Sequence, residues 1–100
     1  LHPRVRRQRQ MCIRDRLLVF KVLADVVRLN IVKYLKLQDQ AVTCGQVGQA
    51  MGISKTAGSY HFKLLEKAGL ITVKKVAREK YVMLNPKTFD HYVTHFYQSL

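Results

Sequence analysis

Apolar positions along this 100-residue chain keep helical spacing as far as residue 69, turn β-rich, and then return to helical spacing. Leu17 to Ala24 is apolar on most sides and reads as a first helix, interrupted only by Lys21. Asp25 is a good N-cap for a second helix from Val26 to about Leu37. There Leu29, Val32 and Leu35 or Tyr34 recur at helical spacing, while Arg28, Lys33 and Lys36 are expected to face water. Gln38-Asp39-Gln40 is a polar connection. Thr43 and Gln46 stand three apart, the spacing of a capping box, and predict a third helix from Cys44 to Met51. Gly52-Ile53 makes a turn with Ile53 buried, and Ser54 caps a fourth helix. Gly69 closes that helix, with Leu70 packing back on its last turn.

Leu70–Val76 and Lys80–Leu84 flank the tip Ala77-Arg78-Glu79 and read as a hairpin. Asn85-Pro86 places a capping residue before a proline at the first position of a final helix, about Pro86 to Ser99. Phe89, Tyr92, Val93, Phe96 and Leu100 form its apolar stripe. No repeat or low-complexity tract interrupts the order α-α-(short β)-α-α-β-β-α. The expected class is mainly α (α+β), with the winged helix-turn-helix arrangement. Its fourth helix is the right size for a DNA major groove, and a basic hairpin beside it can lay cations along the phosphates.

Charge sharpens that expectation. Eighteen Lys and Arg against six Asp and Glu give a net charge of +12. This favours a polyanionic partner, nucleic acid ahead of an anionic membrane, over a soluble protein with a merely basic surface. The first sixteen residues, LHPRVRRQRQMCIRDR, hold six Arg and one Asp, so +5 of the charge sits there and +7 on residues 17–100. This stretch lacks an initiator Met and an apolar period, and RQRQMCIRDR resembles translated adapter sequence at the edge of an assembled read. Residues 1–16 are therefore expected to be non-native or disordered, the competing reading being a basic arm that touches DNA. Residues 17–100 are expected to form one domain for DNA binding and dimerisation. Two cysteines, Cys12 and Cys44, are too few for a disulfide framework and suit a reducing cytoplasm. The one apolar run, at Leu17–Phe20, is far too short to span a membrane, so no membrane partner is expected.

On the fourth helix Gly58, Phe62, Leu65 and Gly69 make a core-facing stripe, with His61, Leu64 and Ala68 at its edges. The opposite face carries Lys55, Thr56, Ser59, Tyr60, Lys63 and Lys67. Residues in the N-terminal half of a recognition helix reach base edges, so Lys55, Thr56, Ser59 and Tyr60 are assigned to the groove and Lys63 to a phosphate, with the cap Ser54 also counted among the DNA-binding residues. With no arginine on this helix, Lys55 is the candidate for a strong guanine contact. In the hairpin Lys74, Lys75, Arg78 and Lys80 are assigned to phosphates, with Arg78 at the tip able to enter a minor groove. The alternative is a hairpin edge kept soluble by lysines.

Residues 20–85 resemble the ArsR/SmtB-type winged helix regulators. FKVLAD (20–25) and RLNIVKYL (28–35) are similar to that family's opening helices, and SYHFKLLEKAGLI (59–71) resembles its Ser-x-His-hydrophobic-x-x-Leu-x-x-Ala-Gly-Leu pattern. The resemblance implies a dimeric, cytoplasmic transcription regulator that binds an operator dyad on double-stranded DNA, usually as a repressor released by an inducer. It names no inducer. It also implies a place for His61 near the DNA backbone; read from the residues alone, His61 is equally a packed, hydrogen-bonded side chain. Three departures stand out: Asp25-Val26-Val27-Arg28 where the family often has Asp-Pro-Thr-Arg, Ala77 where the wing tip commonly has glycine, and Gly58 inside the recognition helix.

The aromatic last helix needs a cover. A partner subunit is expected to supply it through Leu18, Phe20, Phe89, Tyr92, Val93 and Phe96, the alternative being packing within the chain's own core. The resemblance places the interface on the first and last helices too. No resident cofactor is expected. The one metal option is Zn²⁺ through His91 and His95, four apart on one helical face, completed by a second copy; Cys44 stands alone where the family's metal-binding members have a thiol pair. Enzymatic chemistry is not expected, because no phosphate loop, paired acidic motif or nucleophile-base set is present and residues 17–100 hold only five carboxylates. A rival of a different class is a winged-helix module whose basic face docks an acidic protein.

Overall fold

The computed structural model describes residues 16–38, 40–98 and 100. The basic stretch 1–15 with Cys12 lies outside them, as do Asp39 and Ser99. Residues 16–23 are helical (α1), so Arg16, the last residue of the basic stretch, belongs to α1. Then follow α2 (Val26–Lys36), β1 (Val42–Thr43), α3 (Cys44–Met51), α4 (Lys55–Lys67), β2 (Ile71–Val76), β3 (Glu79–Leu84) and α5 (Pro86–Phe89). The sheet is antiparallel in the order β1-β3-β2.

Each of the three central helices starts on a side-chain cap. Asp25 Oδ1 accepts from the N–H groups of Val27 and Arg28 at 2.9 and 3.0 Å. Thr43 and Gln46 complete a reciprocal capping box, at 2.9 and 3.1 Å. Ser54 Oγ accepts from the Ala57 N–H at 3.1 Å. The end of α4 is a Schellman motif: Gly69 adopts φ 76°, its N–H donates to Glu66 O, and the Leu70 N–H donates to Leu65 O. That motif buries Leu70 completely and delivers the chain into β2.

The core lies where α1, α2 and α4 meet the sheet. Ile31, Val47, Leu65 and Leu70 are wholly buried, Ile71 and Val82 almost so, each such side chain contributing about 1.5–3 kcal/mol. On α2 the buried residues are Ile31, Val32 and Leu35, whereas Leu29 is 51% exposed. Arg28 stands 3, 4 and 7 residues before that buried trio and therefore occupies the helix's inner stripe. Its side chain is only 12% exposed, where the sequence pattern assigned it to water.

Two further expectations need correction. The hairpin turn is the two-residue Ala77-Arg78, with Glu79 already in β3 opposite Val76. Ala77 has φ 57°, a left-handed conformation that costs a non-glycine residue roughly 1–2 kcal/mol. The last helix is α-helical only over Pro86–Phe89; Asp90–Thr94 widens to a π-helix and residues 95–98 are turns. Asn85 makes no side-chain cap bond. His, Tyr, Val, Thr and Phe fill this segment, all from the weaker half of the helix propensity ranking, so tertiary packing sets its path. Phe96 stacks edge-on against Phe20 of α1 at 4.7 Å, with the Arg16 guanidinium 5.8 Å from the Phe96 ring.

Candidate nucleic-acid interface

The 13 residues of α4 make a rod about 20 Å long. Gly58, Phe62 and Leu65 anchor it to the core. Its other face leaves Lys55, Thr56, Ser59, Tyr60, Lys63 and Lys67 exposed. Tyr60 is 60% exposed. Lys55, Thr56, Ser59, Tyr60 and Lys63 together line one shallow surface groove. Ser54 is exposed beside them, but its Oγ acceptor is engaged in capping α4.

Between α3, α4 and the hairpin lies a cleft of about 870 Å³, entered by Lys55, Lys63, Lys75, Arg78 and Lys80. Strand register explains which wing cations reach it. Lys75 pairs directly with Lys80, on the sheet face shared by the core residues Ile71 and Val82. Lys74 pairs with Tyr81 and projects from the opposite face, as the alternation of a strand requires. The four wing cations named from sequence are therefore split: Lys75, Arg78 and Lys80 line the cleft with the recognition helix, and Lys74 does not. Two lysines directly opposite each other oppose strand pairing, and an anion between them would relieve that cost. Glu66 and Glu79 also line the cleft and limit its positive charge.

His61 is half-buried. Arg28 Nη1 donates to His61 Nδ1 at 3.2 Å, and the Tyr60 ring meets the His61 ring edge-on at 5.4 Å. Arg28 also donates through Nε to Val22 O at 2.6 Å and lies 3.8 Å from the Asp25 carboxylate. The Asp25 carboxyl is held below its ordinary value of 3.8, first by the hydrogen bond from the Arg28 backbone N–H, against some desolvation.

The expected dimer residues Leu18, Phe20, Phe89, Tyr92, Val93 and Phe96 are all half-buried within one chain. Phe20 and Phe96 cover each other in part, while Leu17, Tyr97 and Leu100 on the same two segments stay 65–86% exposed. His91 and His95 are both exposed, His91 in the π-helical turn and His95 just beyond it. Among the described residues no three His, Cys, Asp or Glu side chains are grouped so as to hold a metal ion. Burial pushes the half-buried Cys44 thiol up, which disfavours the thiolate a metal needs. No helix among the described residues is long and apolar enough to cross a membrane.

Sequence reasoning missed two residues that hold this interface. Arg28 was assigned to solvent, although its place on the i, i+3, i+4, i+7 stripe of α2 was a usable signal. Thr88, whose Oγ1 donates to Gly69 O at 2.6 Å, joins α5 to the end of α4; no local pattern announces a contact 19 residues apart.

An exposed polar helix packed against a helical frame, with a basic hairpin beside it, defines a winged helix-turn-helix DNA-binding protein. A helix-turn-helix domain family model matches residues 23–74. Over 82 residues the chain is 43% identical to YceK of Bacillus subtilis (strain 168), an uncharacterized HTH-type transcriptional regulator, covering 82% of each chain. The fold is similar to an ArsR-like transcriptional regulator from Rhodococcus sp. RHA1 (TM-score 0.75, 19% identity, 88% of this chain and 81% of that one). It is also similar to the homodimeric winged helix-turn-helix DNA-binding domain of Mb0332 from Mycobacterium bovis, a possible ArsR-family regulator (TM-score 0.71, 19% identity, 91% and 84% covered). The chain belongs to this family of helix-turn-helix transcriptional regulators, in the winged form that ArsR-type regulators share.

Proposed function

We propose that this protein is a cytoplasmic repressor that binds a pseudo-palindromic operator as a homodimer. One observation carries the reading: a single face of α4 is exposed, polar and cationic, and the inner face of the wing turns Lys75 and Lys80 toward the same cleft. Each α4 enters one major groove, with half-sites about one helical turn apart. Lys55 is assigned to a guanine, Thr56, Ser59 and Tyr60 to base edges or a thymine methyl, and Lys63, Lys75 and Lys80 to phosphates. Arg78 at the turn is assigned to the adjacent minor groove. Ser54 sets the start of α4. His61 stands behind the groove-facing residues, and Lys74 contributes only general positive charge. The second copy covers Leu17, Tyr97 and the half-buried aromatic layer of α1 and the C-terminal segment; the similar domain from Mycobacterium bovis, described as homodimeric, supports a dimer.

Salt dependence tests the phosphate contacts. With three or four phosphates neutralised per protomer, the log–log slope of duplex affinity against salt should be about −5 to −7 for the dimer. A slope near zero would contradict the reading, and equal affinity for every duplex would leave only non-specific binding or the docking of an acidic protein.

A further inference from the structure

We propose that Arg28 is a positioning residue for DNA recognition, tying His61 on the recognition helix to the backbone of α1. The inference rests on the operator-binding reading of α4 and assigns a role to a side chain that touches no DNA in that reading. Arg28 is on the inner stripe of α2 and only 12% exposed. Its planar fork works in two directions at once: Nε donates to Val22 O at 2.6 Å, and Nη1 donates to His61 Nδ1 at 3.2 Å.

The two acceptors are chosen by chemistry. Val22 O lies in the last turn of α1, where carbonyls have no intrahelical partner. The guanidinium has donors and no acceptor, so in this contact His61 Nδ1 is the acceptor. Asp25 completes the clip: Oδ1 caps the start of α2 and Oδ2 lies 3.8 Å from Arg28 Nη2. One guanidinium thus joins the end of α1, the start of α2 and the middle of α4.

His61 sits next to Tyr60 in sequence and meets its ring edge-on at 5.4 Å. The rotation of α4 about its own axis, which decides whether Lys55, Thr56, Ser59 and Tyr60 reach bases, is therefore fixed partly from behind. Lysine cannot substitute, because a single ammonium lacks the rigid fork that reaches both acceptors.

The experiment compares a duplex selected by the wild-type protein with a scrambled duplex of equal length. Failure of the wild type to distinguish the two would overturn the operator reading itself, separately from the clip. Given that distinction, Arg28→Lys, which keeps the charge, should bind the selected duplex about tenfold or more weakly. Its affinity for the scrambled duplex and its salt slope should stay unchanged. His61→Leu, which leaves the Val22 bond intact, should show the same loss even where Arg28→Lys is too unstable to assay. His61→Asn, which offers an acceptor near the Nδ1 position, should restore most of it. The double variant Arg28→Lys/His61→Leu should be no worse than either single one. Additive losses, unchanged selectivity in folded single variants, or a salt slope reduced by Arg28→Lys would each overturn the proposal.

Discussion

Gly58 lies on the buried side of α4, next in sequence to the exposed Ser59. A Cβ built there would meet Ile53 Cδ1 at 3.6 Å and Phe62 Cε2 at 3.7 Å, ordinary contact distances. Gly58→Ala should therefore stabilise the protein by about 0.5–1 kcal/mol through helix propensity while leaving DNA affinity within about twofold; urea unfolding and a duplex titration check the two halves. At Asp25 the folded-state pKa is lowered, chiefly by the Arg28 N–H bond. Its contribution is present above the unfolded value and is lost as pH falls through the lowered one, below 3.8. Asp25→Asn keeps a capping oxygen, so wild type should lose more stability than this variant between about pH 5 and about pH 2. Parallel pH profiles would remove that assignment. Residues whose role is local were legible from the chain itself: Asp25, Thr43, Gln46, Ser54 and Gly69 cap as their spacing implies. The inward place of Arg28 was legible from the stripe it shares with Ile31, Val32 and Leu35; its partner His61 was not, being on a helix 33 residues away.

The wing shows what an element adds to its residues. Lys74 and Lys75 are neighbours in sequence, and only pairing register reveals that they leave opposite faces of the hairpin. Lys75→Thr and Lys80→Thr should each flatten the salt slope by about 2 units in a dimer, one phosphate per protomer. Each should also add a few tenths of a kcal/mol of stability by removing the opposed like charges. Lys74→Thr should do neither. Equal effects of all three would indicate general electrostatic attraction instead of a cleft. The recognition helix was readable from its cap and period, and the hairpin from its β-rich strands, whereas its turn, with Ala77 left-handed, was not. The last helix was misjudged because its apolar spacing is helical while its residues are weak helix formers, and the contact of Phe96 with Phe20 prevails over local preference.

Across the whole molecule, the helical frame of α1 and α2 holds α4 at His61 through Arg28, and α5 holds its C-terminal end at Gly69 through Thr88. The proposed DNA-reading face is thus braced at two points against the segments proposed to form the dimer. The order of elements followed from the sequence because caps, turns and period mark where most of them begin; the bracing did not, since it depends on contacts 19 and 33 residues apart. The central claim is that this frame presents paired recognition helices to a defined DNA sequence. Selection of randomised duplex DNA by residues 17–100 at near-physiological salt tests it most directly. Enrichment of an inverted repeat with half-sites about one helical turn apart is expected, lost when Lys55, Thr56, Ser59 and Tyr60 are replaced together. Binding without enrichment, or an enriched sequence indifferent to those four residues, would contradict it.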